Sequence, residues 1–589
     1  MHDIRDLINQ STPWFTSNTL GLPDNCPTRY KLSGELGYRL NRSIDRIENQ
    51  LPYSTQYLLT QVSAQKGNWS NFPRFHGDIV GRWTLAETHT HAACAQPPKL
   101  LADLVHDLIQ LQNDDGSFGS LAWSDEPLNP EKAYGNGWTI KALAQYALTF
   151  KDDTATKAAT RLGECYLAMA PAWFDSDDGE DITRGYASTI SCFYHALDGV
   201  MTMHRLTADP RYLDLAREMA KRITPLDEAD HSHMYLMIRR GLLALYQQTN
   251  DQAGIAELEK ELDRFNDQWV TETGGIPERL VKPDENWTLQ DEACSLFDWN
   301  MLTLAMHAET GNDRWLRRAI LNLENNIFYN QNYNGGFCSV EIEHGYPQMG
   351  KEAPWCCSVF GPYGLIAGAA YLVTRKDKHT LNIHHAVSGT FVFGDQQVEI
   401  HRDDEHQQLR IDLTAAPAIT TLRVATPHWL AWTDATTPTP TTENIEFREV
   451  SIGADRVLSL PYRYRVWPAQ PRQAPTWHPA AAVGEEVILF AGPWLLNHRH
   501  QPKPNQPPIG LYTQPTAGFI DPPRMEHILG LPSSGEGFLV AFRTDLAPEP
   551  ITTFRWPDQD ERDIFLYPLK ERESPAHGNS AIRLLGHEG

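Results

Sequence analysis

A multidomain α + β protein, with a helical domain closed as an (α/α)6 toroid and antiparallel β-sandwich modules after it, is the fold class this sequence predicts. Three observations lead there. Apolar residues recur every three or four positions through most of the first 377 residues, a similar turn signature returns between successive helices, and after about residue 378 short β-branched segments replace the helical period.

The helical period is clearest over 101–112, 138–149, 186–206, 212–223, 236–247, 255–265, 296–309 and 313–328. Leu148-Thr149-Phe150-Lys151-Asp152, Leu206-Thr207-Ala208-Asp209, Gln248-Thr249-Asn250-Asp251 and Glu309-Thr310-Gly311-Asn312-Asp313 each end one helix and begin the next. Their separation, roughly 40 to 60 residues, is that of a repeated helical hairpin. Long connections rich in Gly, Trp and acids, such as Asn113-Asp114-Asp115-Gly116-Ser117-Phe118-Gly119 and Thr273-Gly274-Gly275-Ile276, favour a closed toroid over an open solenoid. Loops of that kind gathered on one face are where chemistry is usually placed.

Segments 388–393, 397–400, 409–413, 421–424 and 486–490 read as strands. The Thr/Pro-rich run 435–442 and the Pro-rich 501–508 and 521–523 divide the β half into two modules. The expected boundaries are 1–377 for the toroid with a short N-terminal arm, 378–480 for the first sandwich module and 481–589 for the second.

With 51 Lys+Arg against 75 Asp+Glu, the 589-residue chain carries a formal charge of −24, which disfavours nucleic acid and anionic membrane surfaces as partners. An uncharged substrate fits better. There is no apolar run long enough to span a bilayer and no basic-then-apolar N-terminal leader, so the expected location is the cytoplasm. Eight cysteines are too sparse for a disulfide scaffold. Phosphate-loop, dinucleotide, His-Glu-x-x-His and Gly-x-Ser-x-Gly signatures are all missing from the sequence.

Two polar groups stand just before predicted helices: Asp291-Glu292-Ala293-Cys294-Ser295 and Trp355-Cys356-Cys357-Ser358. Helix N-termini lower a thiol's pKa and favour anions. If the two loops meet, Glu292, Cys294, Cys356 and Cys357 supply one oxygen and three sulfurs, a closed set suited to tetrahedral Zn2+. The alternative is ordinary core packing, since free cysteine is among the most buried residue types. Cys26, Cys94, Cys165 and Cys192 lack such a setting and are expected as buried thiols; Cys338 is ambiguous.

The order of these features resembles glycoside hydrolase family 127, the β-L-arabinofuranosidase-like enzymes with an (α/α)6 barrel and C-terminal β-sandwich modules. Their Glu-Thr-Cys and Cys-Cys-Pro-Pro-Asn motifs correspond here to Glu292-Ala293-Cys294 and Cys356-Cys357-Ser358-Val359-Phe360. The resemblance implies that Glu292, Cys294, Cys356 and Cys357 bind zinc and that Cys356 is the nucleophile of a retaining, exo-acting glycosidase. It also implies an acid/base carboxylate on the loop before Glu292, for which Glu278 is preferred and Glu285 is the alternative. The substrate would be an oligosaccharide. Thr139-Ile140-Lys141 and Ser358-Val359-Phe360 depart from the family pattern and bear on which sugar is accepted.

Sugars stack on aromatic faces and hydrogen-bond at their edges, which brings His76, Trp138, His233 and Trp355 forward as substrate-binding candidates, each with a structural role as its alternative. His233 ranks first, because the resembling enzymes carry a substrate-binding His before the same hairpin. Two competing functions stay open: a carboxylate-only toroid glycosidase or lyase of the unsaturated uronyl hydrolase type, and a non-catalytic zinc- and carbohydrate-binding protein. A homodimer joined through the β modules is the oligomeric state to test.

Overall fold

The structure is a computed structural model that describes residues 10–18, 20–60, 62, 75–176, 189–223, 231–271, 273–278, 280, 291–332, 334–337, 339–340, 352–354, 356–404, 406–433 and 445–469, and further strands between 486 and 585. Its helices are α1 (Gly34–Asn49), α2 (Thr55–Thr60), α3 (Asp78–Thr90), α4 (Lys99–Gln110), α5 (Pro130–Phe150), α6 (Asp153–Asp175), α7 (Thr189–Tyr194), α8 (Leu197–Thr207), α9 (Pro210–Ala220), α10 (Ser232–Thr249), α11 (Gln252–Trp269), α12 (Ala293–Thr310), α13 (Asp313–Leu321) and α14 (Cys357–Ala369). Among them no helix is long and apolar enough to cross a membrane.

The recurring turn signature has one physical form. Lys151, Ala208, Asn250 and Gly311 are left-handed, with φ of 56°, 55°, 52° and 69°, and each closes a helix. The next residue, Asp152, Asp209, Asp251 or Asn312, opens the following helix by accepting a backbone N–H from Ala155, Arg211, Gly254 or Arg314. A non-glycine residue in this conformation costs about 1–2 kcal/mol, and an Asx cap returns about 1 kcal/mol. No linker residue separates the two caps, so the chain reverses sharply.

Helices α4, α9 and α11 bury one stripe, for example Leu101, Leu104, Val105 and Leu108 on α4. By contrast, α3 and α14 are buried at every position. α3 packs on α5, α5 on α8, α8 on α10, α10 on α12, α12 on α14, and α14 on α3. Glycine permits the closest of these approaches: a Cβ on Gly135 of α5 would lie 2.0 Å from the His76 carbonyl oxygen, and one on Gly81 of α3 would lie 2.8 Å from the Trp138 backbone.

The strands expected from 388 onward are present as Gly389–Phe393, Gln396–Asp403, Gln408–Asp412, Thr421–Thr426 and Glu486–Ala491. Pairing is antiparallel through the main sheet, and strand Val457–Ala469 joins Gln408–Asp412 on one side and Glu486–Ala491 on the other. One pair departs from the antiparallel expectation: Thr421–Thr426 runs parallel to Thr380–Ile383. The N-terminal arm also does more than lead into the helices. Its strands Phe15–Thr16 and Arg29–Leu32 extend the main sheet, with Tyr30 opposite Phe391.

Sheet and helices are fastened by buried polar groups. Glu324 accepts from Arg402 Nη1 at 2.7 Å and lies 2.8 Å from His385 Nε2, while Arg402 Nε reaches Asp404 at 2.9 Å. Tyr30 adds a second tie, its ring stacked with Phe391 at 6.4 Å and its hydroxyl donated to the Ile366 carbonyl of α14 at 2.6 Å. Tyr30→Ala is expected to cost about 4 kcal/mol in urea unfolding through the lost ring volume, and Tyr30→Phe only about 1 kcal/mol through the lost hydrogen bond. Equal costs for the two variants would mean that the ring contributes nothing to the joint.

Candidate functional site

Two helix N-termini meet at the site. Glu292 caps α12 and is held by strand pairing opposite Ser339, which puts Cys294 in the first turn. Cys356 caps α14, with Cys357 its first residue. The turn before α14 is anchored by Ser358, whose hydroxyl accepts the Phe337 N–H at 2.9 Å and donates to Glu352 at 2.7 Å. Arg46 holds Glu352 in turn, with contacts of 2.7 and 3.1 Å.

The ligand atoms of Glu292, Cys294, Cys356 and Cys357 lie within 4.8 Å of one another. Cys294 Sγ is 3.5 Å from Cys357 Sγ, which is 3.6 Å from Cys356 Sγ; Glu292 Oε1 is 3.8 Å from Cys357 Sγ and 4.0 Å from Cys356 Sγ. A disulfide needs about 2.05 Å, so these are free thiols. Four donors around a tetrahedral ion bound by sulfur at about 2.3 Å have edges of about 3.8 Å. The quartet fits that figure, and the group could hold a metal ion.

Cys294 and Cys357 are fully buried, whereas Cys356 is partly exposed. Hydrogen bonds from Cys294 and Cys357 push the Cys356 thiol well below its usual range, with the Arg82 charge acting the same way. Burial raises the other two thiols and lifts the Glu292 carboxyl to about 8.

Arg82 of α3 lies behind the quartet, 2% exposed. Its guanidinium donates to Asp78 at 2.6 Å, Tyr134 at 2.5 Å, His233 Nε2 at 3.1 Å and Cys294 Sγ at 3.5 Å, and covers the Trp138 ring at 4.2 Å. Burial holds His233 down at about 4, so its imidazole is neutral at neutral pH. Its Nδ1–H goes to Asp298 at 2.5 Å, which leaves Nε2 to accept from Arg82. Asp298 also takes Arg240 Nη1 at 2.7 Å.

Glu278 reaches the site through His231, whose Nε2 lies 3.6 Å from Glu278 Oε1 and 3.4 Å from Glu292 Oε2. The Glu278 carbonyl accepts from the Ser232 N–H at 2.9 Å, which pins this loop to the start of α10. A quarter of the Glu278 side chain is exposed, as a group meeting a ligand requires.

Glu278, Glu292, Cys294, Cys356, Cys357, His233 and Trp138 are thus gathered in one place. Trp138 has no exposed surface and packs against His233 at 6.0 Å and Phe360 at 5.5 Å, so it supports the site and offers no face to a sugar. His233 is likewise 2% exposed. His76 lies at the entry to α3, its ring against Gly119 of the 113–119 loop. Trp355, Glu285 and Cys338 lie outside the described residues. Cys26, Cys165 and Cys192 are buried as expected, but Cys94 is exposed, because it falls in the turn after α3 rather than on a packed helix face.

Sequence reasoning missed Arg82, Asp78, Tyr134, Asp298 and Arg240. Asp78 and Arg82 left a usable signal, an i,i+4 ion pair beside the apolar residues Ile79, Val80 and Trp83. Titrated with Co2+, the metal-free protein is expected to develop a thiolate-to-cobalt charge-transfer band that saturates at one equivalent. The band should disappear in Cys294→Ser and persist in Cys165→Ser; a band of undiminished size in Cys294→Ser would break the quartet.

The profile of the β-L-arabinofuranosidase GH127 catalytic domain matches residues 29–339, a stretch that includes Glu278, Glu292 and Cys294 and ends before Cys356. No curated protein sequence matches the chain. Among solved structures, a GH127 β-L-arabinofuranosidase from Geobacillus stearothermophilus T6 shares 13% identity, with 93% of this chain and 99% of that one covered and a TM-score of 0.61. A second GH127 β-arabinofuranosidase gives 11% identity, 93% and 92% coverage and a TM-score of 0.59. A third structure, described as a glycoside hydrolase, gives 14%, 96% and 98%, and 0.60. At such identities the shared property is the fold. With the catalytic-domain profile matching more than half of its length, this chain belongs to glycoside hydrolase family 127 and is a glycoside hydrolase.

Proposed function

We propose that this glycoside hydrolase is a zinc-dependent, retaining, exo-acting enzyme that releases L-arabinofuranosyl residues from oligosaccharides, with Cys356 as nucleophile and Glu278 as acid/base. The observation that carries the reading is the division among the three thiols: Cys356 alone is partly exposed, while Cys294 and Cys357 are fully buried. Glu292, Cys294, Cys356 and Cys357 would hold the ion. Bound zinc would keep the Cys356 sulfur ionised at neutral pH. The ring of helices α3, α5, α8, α10, α12 and α14, each packed on the next and the last on the first, is read as the inner wall of an (α/α)6 toroid within 1–377. The strands after it are read as two sandwich modules, 378–480 and 481–589.

In the first step Cys356 Sγ attacks the anomeric carbon while the bond from that carbon to the leaving oxygen breaks. Glu278 gives its proton to the departing oxygen. The sugar is then carried on Cys356 as a thioglycoside. In the second step water attacks the same carbon, its proton passes to the Glu278 carboxylate, and the carbon–sulfur bond breaks to restore the thiolate. His231, within reach of both Glu278 and Glu292, orients the acid/base. Arg82 and the Asp298-bound His233 place positive charge and a fixed dipole behind the thiolate. A chain of net charge −24 favours an uncharged sugar over a polyuronate.

On an aryl L-arabinofuranoside, Cys356→Ala is expected to lower kcat/KM by at least about 10³-fold; unchanged hydrolysis would remove Cys356 as nucleophile. Glu278→Gln should lower kcat/KM by about 10²–10⁴-fold on an alkyl glycoside, whose departing oxygen needs a proton, and far less on a nitrophenyl glycoside. An equal loss on both would pass the acid role to another carboxylate, with Glu285 next in line. Asp298→Asn, which frees the His233 ring to turn, is expected to cost about 10- to 100-fold in kcat/KM with the far-UV circular dichroism unchanged. Full activity in this variant would show that the ring needs no anchor.

A further inference from the structure

Two helices end side by side on the far part of α3. Glu48 lies in the last turn of α1, Glu87 in the last turn of α3, and His91 caps α3. The Trp83 indole N–H holds the two helices together by donating to the Ile47 carbonyl at 3.0 Å. Both carboxylates therefore stand at helix C-termini, where the helix dipole adds negative potential. His91 Nε2 faces both of them, 2.9 Å from Glu48 Oε1 and 3.3 Å from Glu87 Oε2. One imidazole nitrogen carries at most one hydrogen, so it cannot serve two carboxylates well.

The Glu87 side chain is 3% exposed, and its Oε1 is buried without a hydrogen-bond donor. A buried carboxylate oxygen in that state is costly unless a cation completes it. Two carboxylates share a single imidazole nitrogen, so the geometry leaves room for a second positive charge. The three ligand atoms lie within 4.8 Å of one another. Glu48 and His91 are 26% and 20% exposed, which leaves a way in from solvent.

We propose that Glu48, Glu87 and His91 form a second cation site, taking a divalent ion of the Zn2+, Mn2+ or Co2+ class through two carboxylate oxygens and one imidazole nitrogen, with the remaining positions filled by water. An oxygen- and nitrogen-only donor set with open positions suits these ions. Nine residues of α3, about 14 Å of helix rise, separate Glu87 from Asp78, so the site is distinct from the cysteine quartet. The ion clamps the end of α1 to the end of α3.

The test is Co2+ binding to the metal-free full-length protein, followed by metal analysis and absorption together. The expected result is an equivalent of Co2+ that adds no thiolate charge-transfer band and is lost in both His91→Ala and Glu87→Gln. The same equivalent should remain in Cys357→Ser. Glu87→Gln preserves side-chain volume, which guards against a folding defect in His91→Ala. Equal Co2+ uptake by wild type and Glu87→Gln overturns the proposal whatever the quartet does, because the charge-transfer band reports the quartet separately.

Discussion

A guanidinium with almost no water around it sets the terms for the rest of the site. Arg82 is permanently charged, and an unpaired charge at that depth would cost several kcal/mol. Its partners come from four helices: Asp78 of α3 itself, Tyr134 and Trp138 of α5, His233 of α10 and Cys294 of α12. Phe360 of α14 lies 5.8 Å below it. One side chain therefore fixes the relative positions of five helices in the ring, and with them the two N-termini that carry the cysteines. Burial pushes the Asp78 carboxyl up to about 6 while Arg82 pulls it down, so the pair is ionised near neutrality.

From Arg82 the polar groups continue, through the neutral His233, towards the partly exposed Arg240 and Asp198. His233 leads to Asp298, Asp298 to Arg240, Arg240 to Asp198 and Tyr363, and Asp198 to Lys141. Each member satisfies its neighbours, which is the condition for keeping so many charges under a largely apolar wall. The cysteine quartet differs. Its sulfurs have chiefly one another and Arg82 as polar contacts, so the buried acids of Cys294, Cys357 and Glu292 are left with raised pKa values. A divalent ion would reverse that direction for all of them at once.

Much of this was legible in the sequence wherever a residue's role is local. The four left-handed corners at Lys151, Ala208, Asn250 and Gly311 announce themselves because the following Asp or Asn caps its own helix. Outer helices such as α4 and α11 show their period because one face meets water. α3 escaped notice because buried polar residues, Arg82, Thr84, Glu87, Thr88 and His89, are interspersed with its apolar ones and blur the period, whereas the equally buried α14 is apolar almost throughout. Asp298 left no local signal, because its partners His233 and Arg240 lie on α10. α1 and α6 carried an ordinary amphipathic period and could have been found. Glu292 and the three cysteines were legible through their places before two helices, although only the fold brings those helix ends within reach.

Helix polarity organises the chemistry along α3. Its N-terminal turn, together with those of α12 and α14, surrounds the groups that are to be anionic: Asp78, Glu292 and the Cys356 thiol. Unsatisfied N–H groups and the positive end of the dipole lower the cost of negative charge there. At the other end of the same helix the dipole is reversed, and Glu48 and Glu87 stand at helix C-termini, where negative charge is costly. The two groups of donors differ in kind: the quartet near the N-terminal end is mostly sulfur, whereas Glu48, Glu87 and His91 at the other end offer only oxygen and nitrogen. Thirteen residues of fully buried helix lie between the two ends.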